Sequence, residues 1–498
     1  MLTIPTTTNT TSRRIILLLF ALGTLFFGLV VGVAATIGFI IPLFMIAGAG
    51  VLGILMFVTA SAFRWSIAQM VFMLLFVFYF LYFFIQSKFR LPVFTFWEFA
   101  VLFTGLWGVS RLSTVISQSK LFILSILAFA GFLLIAIISA FVEGNSRFVA
   151  ATFQLLSDLK LLLALGFGVY MASRMNIAAI IDRALLPIII VVLFFLLVQW
   201  GAPGVYMSIF NVTQLAAEST DILPSPGVSV FLHPSILAAA SAALAIYTFT
   251  QWRMLGKASG YVLLKFLAFV FLLIASNQRQ EIFAFLLVII AIYVLATKQG
   301  MGKRLMASLV IFATLIVIFL AVYGQTFERE ASLWGIGSIE AATHPRALLY
   351  DGAESIARTY FPLGSGLGTF GGVGSSKYDL SLYYKLGMAQ QWWWPEHEDY
   401  LLDTYWPNSI AEGGMIGAAL LLLHYVLFSI YLFLKAAHAQ SKELRMVWLW
   451  SAGSFTWVLF NSPTSPAFQE LLLLFFPGLF FGIAVVRENK EKMKSGRT

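Results

Sequence analysis

The chain has no cysteine among its 498 residues, so disulfides, thiolate nucleophiles and cysteine-bound metals are excluded outright. Charge is scarce too: 11% of residues are Asp, Glu, Lys or Arg, against roughly 25% in an average soluble domain, so water is not the main solvent of this chain. No HExxH, EF-hand or P-loop spacing occurs, which removes the usual sequence grounds for a metal or a nucleotide. Repeated halves of the kind that mark many secondary transporters are missing. The net charge is +9, but the basic residues are scattered rather than gathered in a stripe, which argues against nucleic acid as a partner.

What the chain does have is apolar length. Hydrophobic residues make up 60% of it, and runs such as Leu121 to Val142 and Arg304 to Gly324 match the roughly 20 residues that cross a bilayer core. Lipid offers no partner to a backbone amide, so these runs predict helices and an all-α polytopic membrane protein. Spans are expected near residues 15–36, 39–60, 67–85, 94–110, 121–142, 152–173, 185–200, 234–250, 261–276, 281–297, 304–324, 408–434, 446–461 and 468–486. That is about fourteen, or twelve if short segments such as the one carrying Glu98 are re-entrant. Arg13 and Arg14 precede an apolar stretch that is long, has no clear small-residue cleavage site and is followed at once by further spans. It reads as a first span rather than a secretion signal. Within the spans, Glu98, Asp158, Lys160 and Lys265 are expected to face the bundle interior and pair. Asp158 and Lys160 are two apart and do not share a helix face, so each needs its own partner.

A cytoplasmic N-terminus puts most of the Lys and Arg inside, including Arg253, Lys257, Lys435, Lys442 and the tail from Arg487 to Arg497. Both termini are then cytoplasmic. The chain divides into an N-terminal bundle (1–324), a large outer loop (325–407), C-terminal helices (408–486) and a basic tail (487–498). The loop carries ten acids against five bases and is rich in Trp and Tyr, and a loop of such length is usually functional.

Four features could carry chemistry. Arg279 sits in a short outer turn, where its planar fork could grip a phosphate; a snorkelling anchor, or an ion pair with Glu281, would look the same. Arg346 and Arg358 precede the run Phe361-Pro362-Leu363-Gly364-Ser365-Gly366-Leu367-Gly368-Thr369-Phe370-Gly371-Gly372, whose glycines could approach a ligand closely and whose amides could cradle an anion. Glu396, His397, Glu398, Asp399 and Asp403 supply possible proton acceptors, with a metal site or a solvated acidic turn as alternatives. The loop aromatics, among them Tyr350, Trp392 to Trp394, Tyr405 and Trp406, suit an interfacial belt but also offer flat faces for sugar rings.

Arg279, then Arg346-Ala347-Leu348-Leu349-Tyr350, the glycine-rich run, Asp403-Thr404-Tyr405-Trp406-Pro407 and Glu412-Gly413-Gly414-Met415-Ile416-Gly417 resemble the O-antigen ligase and Wzy-type polysaccharide polymerase superfamily. The resemblance covers roughly residues 270 to 420 and leans towards exopolysaccharide or capsule polymerases. It implies a GT-C-like helical fold in the bacterial cytoplasmic membrane and metal-independent, inverting glycosyl transfer at the outer face, with no cofactor. The implied donor is a glycan on undecaprenyl diphosphate, and a flippase and chain-length regulators are implied as partners. By the same resemblance Arg279 and Arg346, joined by Arg358, hold the diphosphate, Asp403 or His397 is the base, and Tyr350, Gly366, Tyr405, Trp406 and Glu412 contact the glycan. His397 lies 15 residues before Glu412, farther than in the ligases and outside their His-Asn setting, whereas Asp403 lies at about the matching separation. A ligase moving finished glycan onto a lipid or protein, and a transporter of lipid-linked glycan, are the rival readings.

Overall fold

The computed structural model describes residues 67–89, 93–116, 119–210, 226–231, 233–254, 260–295, 306, 343–396, 400–494 and 496, and among them every regular element is a helix. The spans expected near 15–36, 39–60 and 304–324 lie outside these residues. The chain runs through α1 (Ile67–Phe89), α2 (Val93–Ile116), α3 (Lys120–Glu143), α4 (Phe148–Asp158), α5 (Lys160–Arg174), α6 (Ile177–Gly201) and α7 (Pro203–Phe210). It continues through α8 (Pro234–Met254), α9 (Gly260–Ala275), α10 (Arg279–Leu295) and then α11 (Pro345–Thr359), α12 (Val373–Tyr378) and α13 (Ser381–Lys385). Three long helices close it: α14 (Trp406–His438), α15 (Lys442–Asn461) and α16 (Leu471–Lys494).

Helices α3, α6, α14 and α16 are long and apolar enough to cross a membrane, and α4 with α5 adds a fifth crossing if that bent pair is one span. The expected single span at 152–173 is therefore broken, by 44° at Leu159. Two charged residues flank the break at Leu159. Asp158 accepts a hydrogen bond from Gln154 at 2.9 Å, while Lys160 pairs with Glu98 of α2 at 2.7 Å and donates to the Gln469 carbonyl at 2.7 Å. Each charge finds a separate partner, as their spacing demands, which keeps the cost of burying them down. Lys265 lies 4.2 Å from the ring centre of Tyr261, a cation–π contact that leaves the ammonium partly solvated by the aromatic face.

Small residues let the central helices touch backbone to backbone. A Cβ on Gly108 of α2 would fall 1.8 Å from the Gly166 carbonyl of α5, and one on Gly168 the same distance from Gly478 of α16. Without a hydrophobic drive between helices in lipid, such close packing supplies the attraction. The tail expected at 487–498 is no separate element up to Lys494, because α16 runs on unbroken to that residue.

The two ends of the bundle differ. At one end lie the last turns of α5, α8, α14 and α16, carrying Arg174, Arg253, Lys435, Lys492 and Lys494, with Lys442 opening α15. At the other lie α11 to α13, which fold over a small core of their own that includes Leu349, Phe370, Tyr383, Trp393 and Leu401.

Candidate functional site

A cavity of about 650 Å³ opens at the end of the bundle away from the basic turns. It is built where chain segments hundreds of residues apart begin helices. Ser235 and Ile236 open α8, Arg279 to Glu281 open α10, Arg346 lies in the first turn of α11, and Glu470 with Leu472 opens α16. Residues at four helix N-termini thus line one space, and each N-terminus brings a partial positive charge.

Arg279 and Arg346 both line this cavity, as does Asp403. Arg346 is held rigidly: its Nε donates to Asp403 Oδ2 at 2.5 Å and its Nη2 to Oδ1 at 3.2 Å. The pair is largely shielded, with side chains 16% and 32% exposed, so the fork is fixed in place. His344 sets the start of α11 by accepting the Arg346 amide. Arg358 is not brought to the site. It lies twelve residues on along α11, about 18 Å away at 1.5 Å per residue, and its exposed guanidinium pairs with Glu354 one turn back. His397 lies outside the described residues.

The five residues expected to contact a glycan do not line the cavity. Gly366, Tyr405 and Glu412 are buried. The Tyr405 hydroxyl bonds to that of Tyr425 at 2.6 Å. Tyr350 donates to the Pro463 carbonyl at 2.9 Å and Trp406 to Ser462 Oγ at 2.9 Å. Of the three consecutive tryptophans only Trp392 is strongly exposed, while Trp393 belongs to the small core.

The glycine-rich run does cradle a carboxyl group, but the carboxyl is the chain's own. Glu412 Oε1 accepts the amides of Thr369 at 3.0 Å and Phe370 at 3.4 Å, the nest geometry that suits a carboxylate as well as a phosphate. Two of its glycines press against helices. Gly368, at φ +77°, would put a Cβ 2.5 Å from the Ala150 backbone of α4, and Gly364, at φ +85°, would put one 2.4 Å from the amide of Gly414. Gly414 itself breaks α14 with φ 62° and ψ −176°. Beside that break, the carbonyls of Ala411 and Glu412 accept the amides of Ser365 at 2.8 Å and Gly366 at 3.2 Å. From the opposite side, the Tyr383 hydroxyl accepts the Gly371 amide at 2.6 Å. Burial pushes that phenol well above its ordinary range, so it stays neutral.

Two cavity residues were not singled out from sequence. His233 sits just before α8, where its Nδ1 accepts the Ser235 amide at 3.3 Å. Glu470 heads α16, and burial raises its carboxyl above the usual range, opposed by Lys160 and assisted by Glu98. Both sit at the edge of apolar runs, and that position, together with Pro234 marking a helix start, was the signal available.

Compared with known proteins, the chain matches no family model and no curated relative.

Proposed function

We propose that the cavity holds the diphosphate of a lipid-linked glycan, and that the protein polymerises undecaprenyl-diphosphate-linked repeat units at the outer face of the bacterial cytoplasmic membrane. The reading makes it an inverting, metal-independent glycosyltransferase with a GT-C-like arrangement of helices. The observation that carries it is the convergence of Arg279, Arg346 and four helix N-termini on one cavity at an end of the bundle. Separately, these are common features. Together they set two guanidinium groups and four helix N-termini around a space sized for a polar headgroup, beside the carboxyls of Glu281, Asp403 and Glu470, with the apolar bundle beneath it to receive a polyprenyl chain. Orientation follows from the basic turns at the opposite end, which suit the cytoplasmic side.

The chemistry needs a leaving group whose charge is neutralised. As the bond from the anomeric carbon to the diphosphate oxygen breaks, its electron pair passes to the diphosphate. Guanidinium groups and aligned amides placed beforehand stabilise that charge at little reorganisation cost. Asp403, with both oxygens engaged by Arg346, is a positioning residue that keeps the fork aimed.

Membranes from cells lacking the protein distinguish the readings. A polymerase null accumulates single repeat units on the outer leaflet, a ligase null still makes long lipid-linked polymer, and a transporter null traps units on the inner leaflet. Long polymer or inner-leaflet trapping would reject the proposal.

A further inference from the structure

We propose, resting on the reading above, that Glu470 is the group that takes the proton from the attacking sugar hydroxyl. The acceptor oxygen forms a bond to the anomeric carbon, its O–H bond breaks with the proton passing to a Glu470 carboxylate oxygen, and the diphosphate leaves with the electron pair of the broken bond.

Elimination among the cavity's titratable groups leads there. Asp403 has both oxygens committed to Arg346. Glu281 is 6% exposed in the first turn of α10, with little of its surface open to a substrate. His233 accepts a backbone amide at Nδ1, so its neutral ring carries the proton on Nε2 and presents a donor, suited to a phosphate oxygen rather than to taking a proton. Glu470 also lines the cavity, is half-buried rather than sealed, and its carboxylate makes no hydrogen bond among the described residues.

Its surroundings fit the task. Lys160 and Glu98, paired with each other at 2.7 Å, and Tyr79 and Tyr82 of α1 lie near enough to act on its charge. Lys160 offsets part of the burial cost of the anion but does not bond to it, so the carboxylate stays available. Arg279 and Arg346 share its cavity, which puts the proton acceptor and the leaving-group clamp in the same space. A carboxylate raised above its ordinary range is a stronger base near neutral pH.

The full chain in proteoliposomes tests this with two readouts: binding of undecaprenyl diphosphate, and turnover of a defined lipid-diphosphate oligosaccharide. Glu470→Gln should lower turnover about 10²- to 10⁴-fold while leaving the Kd for undecaprenyl diphosphate within about twofold, the pattern of a group needed in the transition state only. Glu470→Asp should recover part of the turnover. The wild-type rate should rise with pH through an apparent pKa above that of an ordinary carboxylate, and Glu470→Asp should shift that limb. Wild-type turnover from Glu470→Gln overturns the assignment, and so does joint loss of binding and turnover without recovery in Glu470→Asp, which marks a structural role. A wild-type protein that neither binds nor turns over the lipid diphosphate rejects the underlying reading itself.

Discussion

The glycine-rich loop and the cavity are both equipped to hold an anion, and they use that capacity in opposite ways. In the loop, the amides of Thr369 and Phe370 close on Glu412, and Gly364 and Gly368 press against the backbones of α14 and α4. In the cavity, Arg279 and Arg346 stand among helix N-termini around open volume. A motif rich in ligand-binding chemistry can therefore be structural, while a site can be assembled from residues that share no motif.

Substitutions can break or sharpen that contrast. The largest effect is expected from Arg346→Ala, which should cut polymer formation about 10²- to 10³-fold, as removal of one preorganised charge-stabilising donor does, with the protein still present in the membrane by immunoblot. Undiminished polymer would remove the cavity from the chemistry. Lys160→Met leaves the half-buried Glu98 without its partner and should cost about 2 kcal/mol, read as a lower unfolding temperature in detergent. Gly368→Ala forces a side chain into the Ala150 backbone at a left-handed φ and should cost about 2 kcal/mol. An unchanged melting temperature there would mean the loop is not wedged against α4. Glu412→Gln keeps an acceptor for both amides and should cost less than about 1 kcal/mol with polymer still made. Strong loss of polymer without loss of stability would return Glu412 to the glycan site. Arg358→Ala, remote and exposed, should change polymer yield less than about twofold.

The helices were legible because bilayer-length apolar runs have few other fates. Helices occupy every expected span among the described residues, from 67–89 to 471–494, and the breaks at Leu159 and Gly414 escaped, since a run that bends reads like one that does not. The cavity was legible in part. Arg279 and Arg346 stood out as cations at loop edges, but nothing in the order of residues says that His233 and Glu470 meet them. The glycine-rich loop was misread for a physical reason: a backbone that needs φ above zero and bare approach looks identical whether its neighbour is a phosphate or another helix. The aromatics misled likewise, for Tyr383 and Trp393 fill a core that the sequence presents as a string of potential stacking faces.

The interlock between Gly364 and the break at Gly414 has a practical consequence for engineering. Amides from one segment bond to carbonyls beside the break in the other, and neither has room for a side chain at the crossing. The two stretches are in effect one tenon and mortise, so a chimera that imports residues 364–372 from a different protein should assemble only when residues 408–414 travel with them.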